Sequence, residues 1–260
     1  MMQNTQQRIT TLLFWPFFFT THLLALGVLS WHLLAQVDFA YPLGYKLLNL
    51  ETHIKETAPF NRFKPEFELT TPAEHWSLFS QITTSVQHHG KGLAEINYRL
   101  ANGTNTPLMH QAEIIHLQDV ANLIDVIYNI GTACALMFLC LLTIAYYKNY
   151  TFPAIKKILL GFIGGVIAIT ATVLALGPTR LFYWLHTKIF PDGHQWFFYY
   201  EDSLMTTLMK APDIFAFIAF FLLSVLVTLW IGSVWGISKL LAQKSLLEIT
   251  KTKQKKPRKR

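Results

Sequence analysis

Charge and cysteine are both scarce in this chain. Asp, Glu, Lys and Arg make up 14% of its 260 residues, while 52% are hydrophobic. So little charge beside so much apolar surface argues against a soluble domain and for an integral membrane protein. The two cysteines, Cys134 and Cys140, share one apolar segment, where they read as small hydrophobic residues. No disulfide therefore staples the polar parts. The chain has no internal repeat, no nucleotide-binding glycine loop and no Gly-x-Ser-x-Gly nucleophile elbow. Without an inverted repeat or a pair of broken helices, a transporter is disfavoured. No small-x-small cleavage site follows the first apolar run, which points to a retained anchor rather than a cleaved signal.

Long apolar runs are what the chain does have. Four reach the roughly 20 residues needed to cross a bilayer: Leu12–Ala35, Ile124–Tyr147, Ile158–Gly177 and Ile214–Ile237. Each must be a helix, because backbone groups in lipid have to pair within their own segment. Nine Lys and Arg follow Ile237, three lie in 148–157, and Arg8 precedes the first run. The positive-inside rule then places both termini and the 148–157 connection in the cytoplasm. The predicted division is a cytoplasmic N-terminus and first helix (1–35), an extracytoplasmic cap (36–121), the second and third helices with their connection (122–177), an aromatic outer loop (178–212), the fourth helix (213–238) and a basic tail (239–260). The fold class expected is an α-helical integral membrane protein with four transmembrane helices and a small mixed α/β cap. The tail fixes topology or touches anionic lipid. It has no folded platform beside it, which argues against nucleic-acid binding.

Within the cap, frequent Pro, Gly and Asn-Gly signals mark turns. Glu66–Thr70 alternates as a strand would, and Ala94–Ala101 fits either a strand or a short helix. Phe60, Phe63, Phe67, Trp76 and Phe79 divide between a small core and an interface. The loop 178–212 is dense in aromatics, which fits an interfacial belt or a pocket for acyl chains. Gly161, Gly164 and Gly165, and Gly232 with Gly236, are expected to allow close helix approach. His22 lies near mid-span of the first helix, where a neutral imidazole bonded between helices is expected.

Two histidines stand at the outer ends of neighbouring apolar runs. His116 sits in Glu113-x-x-His116-x-x-Asp119, spaced along one helix face. His186 follows the third run, in Phe182-x-x-x-His186-x-x-x-Phe190. A Glu-x-x-His also occurs in di-iron bundles, but those require a second copy, which this chain lacks. A polar seam between helix and cap accounts for the same residues without chemistry. If the chain is an enzyme at the outer boundary, histidine is its strongest acid–base candidate.

In order, Asn97-Tyr98, Glu113-x-x-His116-x-x-Asp119-Val120, Phe182-x-x-x-His186-x-x-x-Phe190, Gly193-x-x-Trp196, Asp202-x-Leu204 and Pro212 resemble the bacterial lipoprotein intramolecular transacylases. The resemblance spans roughly residues 94–216. Leu117 stands where the family usually carries methionine, an apolar exchange. The resemblance implies four membrane helices with an outer cap in the bacterial plasma (inner) membrane, and an active site at the outer leaflet. It implies an acyltransferase that needs no cofactor or metal. Its partners would be diacylated lipoproteins and membrane lipid. The sn-2 acyl chain would move to the amine of the N-terminal cysteine, giving a lyso-form lipoprotein. The family histidines map onto His116 and His186. Asn97, Tyr98, Glu113, Asp119, Arg180, Phe182, Trp196 and Asp202 are the expected substrate-binding set. Asp119 is placed to orient His116, and Arg180 to meet an oxyanion or a lipid phosphate. A non-enzymatic receptor or assembly protein and a lipid esterase are the other readings. A wide separation of His116 from His186 would favour the receptor.

Overall fold

A computed structural model describes residues 2–255 of the chain, with side chains described from residue 13. The end of the basic tail, 256–260, lies outside the described residues, as do the side chains of Arg8, Ser245 and 248–255. The fold is 76% helical, and four helices are long and apolar enough to cross a membrane.

In chain order, α1 is Met2–Ala35, α2 Tyr41–Leu47, α3 Leu50–Thr57 and α4 Pro72–Gln87. The strands β1 (Asn97–Arg99) and β2 (Asn105–Pro107) pair antiparallel, with Tyr98 opposite Thr106. Then come α5 (Gln111–Tyr147), α6 (Ile155–Leu176), α7 (Pro178–Ile189), α8 (Leu204–Thr207) and α9 (Asp213–Lys255). Local chemistry sets several boundaries. Thr71 accepts from the Glu74 N–H at 3.3 Å and Pro72 opens α4, a standard start signal. Gly177, at φ +85°, ends α6 and Pro178 begins α7. Helix α5 starts well before the apolar run that betrays it. At 37 residues it is about 55 Å long, where a bilayer core needs about 30 Å.

The chain forms two compact units. One comprises residues 1–29, 130–178 and 225–260. Its core joins Trp15, Phe18, Leu141, Ala145, Ile237 and Leu241, with a second cluster around Ile158, Trp230 and Val234. His22 donates through Nε2 to Ser233 at 3.0 Å, since that hydroxyl already donates to the Trp230 carbonyl. Its ring also stacks on Phe138 at 4.5 Å, so the histidine is bonded between helices as expected. The glycine expectation is overturned. A Cβ at Gly161, Gly164, Gly165, Gly232 or Gly236 would meet no atom within 4 Å. The close approach is at Gly131 instead, where a Cβ would collide with Val28.

The other unit comprises residues 30–129 and 179–224. Tyr41, Leu50, Ile54, Phe67, Leu78, Tyr98, Leu108, Leu208 and Ile214 form its core. The cap aromatics do divide: Phe67 is 0% and Phe79 5% exposed, while Phe60 is 70% and Phe63 46% exposed. Glu66–Thr70 is not a strand. Glu66 takes a left-handed conformation, and Phe67–Leu69 form a tight turn that drops Phe67 into the core. The strand in 94–101 is Asn97–Arg99.

Two buried polar assemblies brace this unit. Lys64 is fully buried and donates to Glu113 Oε2 at 2.9 Å. Glu113 also accepts from the Leu204 N–H at 2.5 Å and the His110 N–H at 3.3 Å. Burial pushes the Lys64 ammonium below its usual range, against the pull of Glu113. In the second assembly, Tyr45 is bonded to His75 Nδ1 at 2.8 Å, and His75 Nε2 to Thr70 at 2.6 Å. The Thr70 hydroxyl donates to the Phe67 carbonyl, so a neutral imidazole with its proton on Nε2 satisfies every partner. Burial pushes the His75 pKa down to about 4.

Lys64→Met leaves the Glu113 carboxylate buried without its cation and is expected to destabilise the protein by about 3–5 kcal/mol. Thermal unfolding in detergent measures this, and Lys64→Met with Glu113→Leu should recover part of the loss. His75 gives a pH dependence of definite sign. Its pKa is about 4 when folded and near 6.5 when unfolded, so the unfolded chain takes up the proton first. Its contribution is complete above the unfolded value. It is lost as pH falls from there toward about 4, at up to about 1.4 kcal/mol per pH unit. The same unfolding assay across this window should show the slope, and His75→Gln should flatten it.

Candidate functional site

A cavity of about 800 Å³ lies in the unit that holds both histidines. Helix α4 contributes Phe79, Ile82, Thr83, Val86 and Gln87; α5 contributes His116, Leu117 and Val120. Helix α7 adds Phe182, Tyr183 and His186. The irregular segment after it adds Phe190 and Trp196–Tyr200. Its walls are therefore aliphatic and aromatic, with few polar groups.

His116 and His186 meet at one aromatic ring. Phe190 lies 4.9 Å from the His116 ring and 5.3 Å from the His186 ring. The two imidazoles are within electrostatic reach of each other. His186 also packs on Phe182 at 3.9 Å and Trp196 at 5.0 Å, and His116 on Phe198 at 5.9 Å. The i, i+4 spacing puts Phe182 and His186 on one face of α7, and the Phe190 N–H, just past its end, donates to the His186 carbonyl at 3.1 Å.

Their hydrogen bonding differs. His186 Nδ1 lies 2.8 Å from the Phe182 carbonyl, which only accepts. Nδ1 therefore carries the proton, and in the neutral ring Nε2 keeps a lone pair. His116 Nδ1 is buried and meets no protein hydrogen-bond partner. Such an atom is costly unless something else bonds to it.

Of the expected substrate-binding set, Phe182 and Trp196 line the cavity. The others lie elsewhere. Glu113 is committed to Lys64, His110 and Leu204. Asp119 pairs with His194 Nδ1 at 2.7 Å, so its hydrogen bond goes to His194 rather than to His116. Asp202 receives both arms of Arg62, at 2.7 and 2.5 Å. Tyr98 is buried and donates to the Pro65 carbonyl at 2.7 Å. Asn97 is exposed on β1 and bonds to the Glu95 carbonyl. Arg180 is exposed in the first turn of α7.

Sequence reasoning missed Lys64, Arg62 and His194, the partners of three acidic residues it had selected. A lysine in Phe63-Lys64-Pro65 looks like any solvated surface lysine. The Asp119–His194 contact joins positions 75 apart, which no local pattern reports. Among the described residues, no three His, Cys, Asp or Glu side chains are grouped as a metal site would require.

No curated protein and no solved structure matches the chain. The model of the family described as lipoprotein intramolecular transacylase Lit matches residues 17–211, which include α1 beyond its first turns, both histidines and the cavity walls up to Ala211. That match covers three quarters of the sequence, so the chain belongs to the lipoprotein intramolecular transacylase family.

Proposed function

We propose that this protein moves the sn-2 acyl chain of a diacylglyceryl lipoprotein onto the amine of that lipoprotein's N-terminal cysteine. The observation that carries this reading is the meeting of His116 and His186 at Phe190, on one apolar cavity, in a chain of this family.

The reaction exchanges an ester for an amide. The amine lone pair attacks the ester carbonyl carbon, and the amine proton passes to a base. The carbon–oxygen bond then breaks, and the glyceryl oxygen takes a proton. No electron transfer is involved, so proton transfer and positioning suffice without a cofactor or metal. His186 is the better base, because the Phe182 carbonyl holds its proton on Nδ1 and leaves Nε2 to accept. The proton taken by His186 is then delivered to the leaving glyceryl oxygen by way of His116, the acid of the pair, so both imidazoles end as they began. Phe182 and Trp196 hold the acyl chain, and the cavity keeps amine and ester together while limiting water. Glu113, Asp119, Tyr98 and Asp202 act through the segments they tie, and Asn97 through the strand it helps shape. Arg180 is placed to meet a lipid phosphate.

The charge pattern supports the bacterial inner membrane as the location, with both termini cytoplasmic. The cap, 36–121, and the loop, 178–212, would then face outward and present the site at the outer leaflet. The length of α5 supports this, since its His116 end can project beyond a membrane span.

The test reconstitutes the protein with a diacylglyceryl lipopeptide and examines the product by mass spectrometry. An N-acylated cysteine with a lyso-glyceryl group is expected. His116→Asn and His186→Asn should each lower conversion by about 10²-fold or more while the protein still folds. An unchanged diacylglyceryl form would sink the proposal. Free fatty acid in place of N-acyl product would make the protein an esterase. Full conversion by both variants would remove the histidines from the mechanism.

A further inference from the structure

The cavity that holds the histidines has a second polar feature, which the reaction above does not use. Gln87, the last residue of α4, faces the cavity together with Trp31. Gln87 Oε1 accepts from the Tyr128 hydroxyl at 2.8 Å and from Trp31 Nε1 at 3.3 Å. The Tyr128 oxygen is in turn 3.2 Å from His32 Nδ1. Two donors thus hold one amide oxygen beside a wall that is otherwise apolar.

Helix α5 provides the scale, because it carries both His116 and Tyr128. They are twelve residues apart, and at about 1.5 Å per residue that is about 18 Å along the helix axis. Leu117 and Val120 on α5, with Ile82 and Val86 on α4, give the cavity apolar walls beside that length. The hydrocarbon core of a bilayer is about 30 Å thick, so one leaflet's chain spans about 15 Å. The distance along α5 from His116 to the Tyr128 partner of Gln87 is therefore close to the length of one membrane acyl chain.

We propose that Trp31 and Gln87 form the stop that sets which acyl-chain length the protein transfers. This rests on the transacylase reading above. With the ester at the two imidazoles, the methyl end of the chain reaches the Gln87 oxygen and the Trp31 indole. A longer chain must push these groups aside and break the bonds onto Gln87. Losing both hydrogen bonds onto the half-buried Gln87 oxygen costs more than one added methylene gains by burial, so longer chains are rejected. Shorter chains leave part of the cavity empty and are bound less well.

The experiment offers diacylglyceryl lipopeptides with an equal mixture of sn-2 chains from myristoyl to arachidoyl, and reads the N-acyl products by mass spectrometry. The wild-type protein should favour the middle of the series. Trp31→Ala should move the distribution toward longer chains, by about fourfold for each methylene newly accommodated. Val86→Phe, which fills the cavity next to Gln87, should move it toward shorter ones. The two variants shift in opposite directions, so a folding failure of one leaves the other as the test. N-acyl product with the wild-type distribution in the folded variants would overturn the chain-length stop while leaving the transacylase reading intact. Absence of N-acyl product from the wild-type protein would overturn the transacylase reading, and the stop with it.

Discussion

Glu113 accepts hydrogen bonds from the Lys64 ammonium and the Leu204 N–H, both distant in the chain, and from the His110 N–H just before its own helix. A buried carboxylate must be satisfied or it destabilises the fold, so these three segments are obliged to converge. One of them begins α5 and another begins α8. His116 lies one turn beyond Glu113 on α5, so the point where the chain is most tightly tied lies beside the imidazole. The bonds of Asp202 to Arg62 and of Asp119 to His194 fasten the segment between α7 and α8 in the same way. That segment has little regular structure, yet it supplies much of the aromatic wall. Side-chain bonds hold it where ladder bonds do not.

The acidic residues around the histidines therefore serve as anchors. A Glu or Asp close to a catalytic imidazole is readily taken for its orienting partner. Here the imidazoles have other neighbours: a backbone carbonyl for His186, and aromatic rings for both. The carbonyl lies four residues back on the same helix, so the His186 tautomer depends on α7 being helical rather than on a distant contact.

Much of this was legible in the sequence, and the reasons are specific. Apolar runs of bilayer length have one structural solution, so the four long helices followed directly. The histidines flank two such runs, which made their convergence on one cavity a reasonable expectation. The selected residues Phe182 and Trp196 do line that cavity. What escaped was pairing over distance. Asp119 was expected to orient His116, a role that spacing alone does not decide, and it is bonded across 75 positions to His194. Small residues also misled. Gly161 and Gly232 look like packing glycines, yet the close approach is at Gly131, an inconspicuous glycine in a long apolar run. The strand expected over Glu66–Thr70 failed because alternation does not distinguish a strand from a tight turn that buries one phenylalanine.

An apolar cavity alone would serve any lipid-binding protein. For an ester beside an amine, the walls matter because they decide which nucleophile is present. Water competes with the amine for the same carbonyl carbon, and holding amine and ester together raises the amine's effective concentration against it. Aromatic walls help in two ways: they offer water few hydrogen bonds, and their stiff rings restrict where the chain can lie. Phe190 packs against both imidazoles, so under the proposed reaction it would serve both ends at one point. Under the proposed reaction, a site of this kind favours transfer over hydrolysis by excluding the commoner nucleophile, so the imidazoles need only move protons between groups already in place.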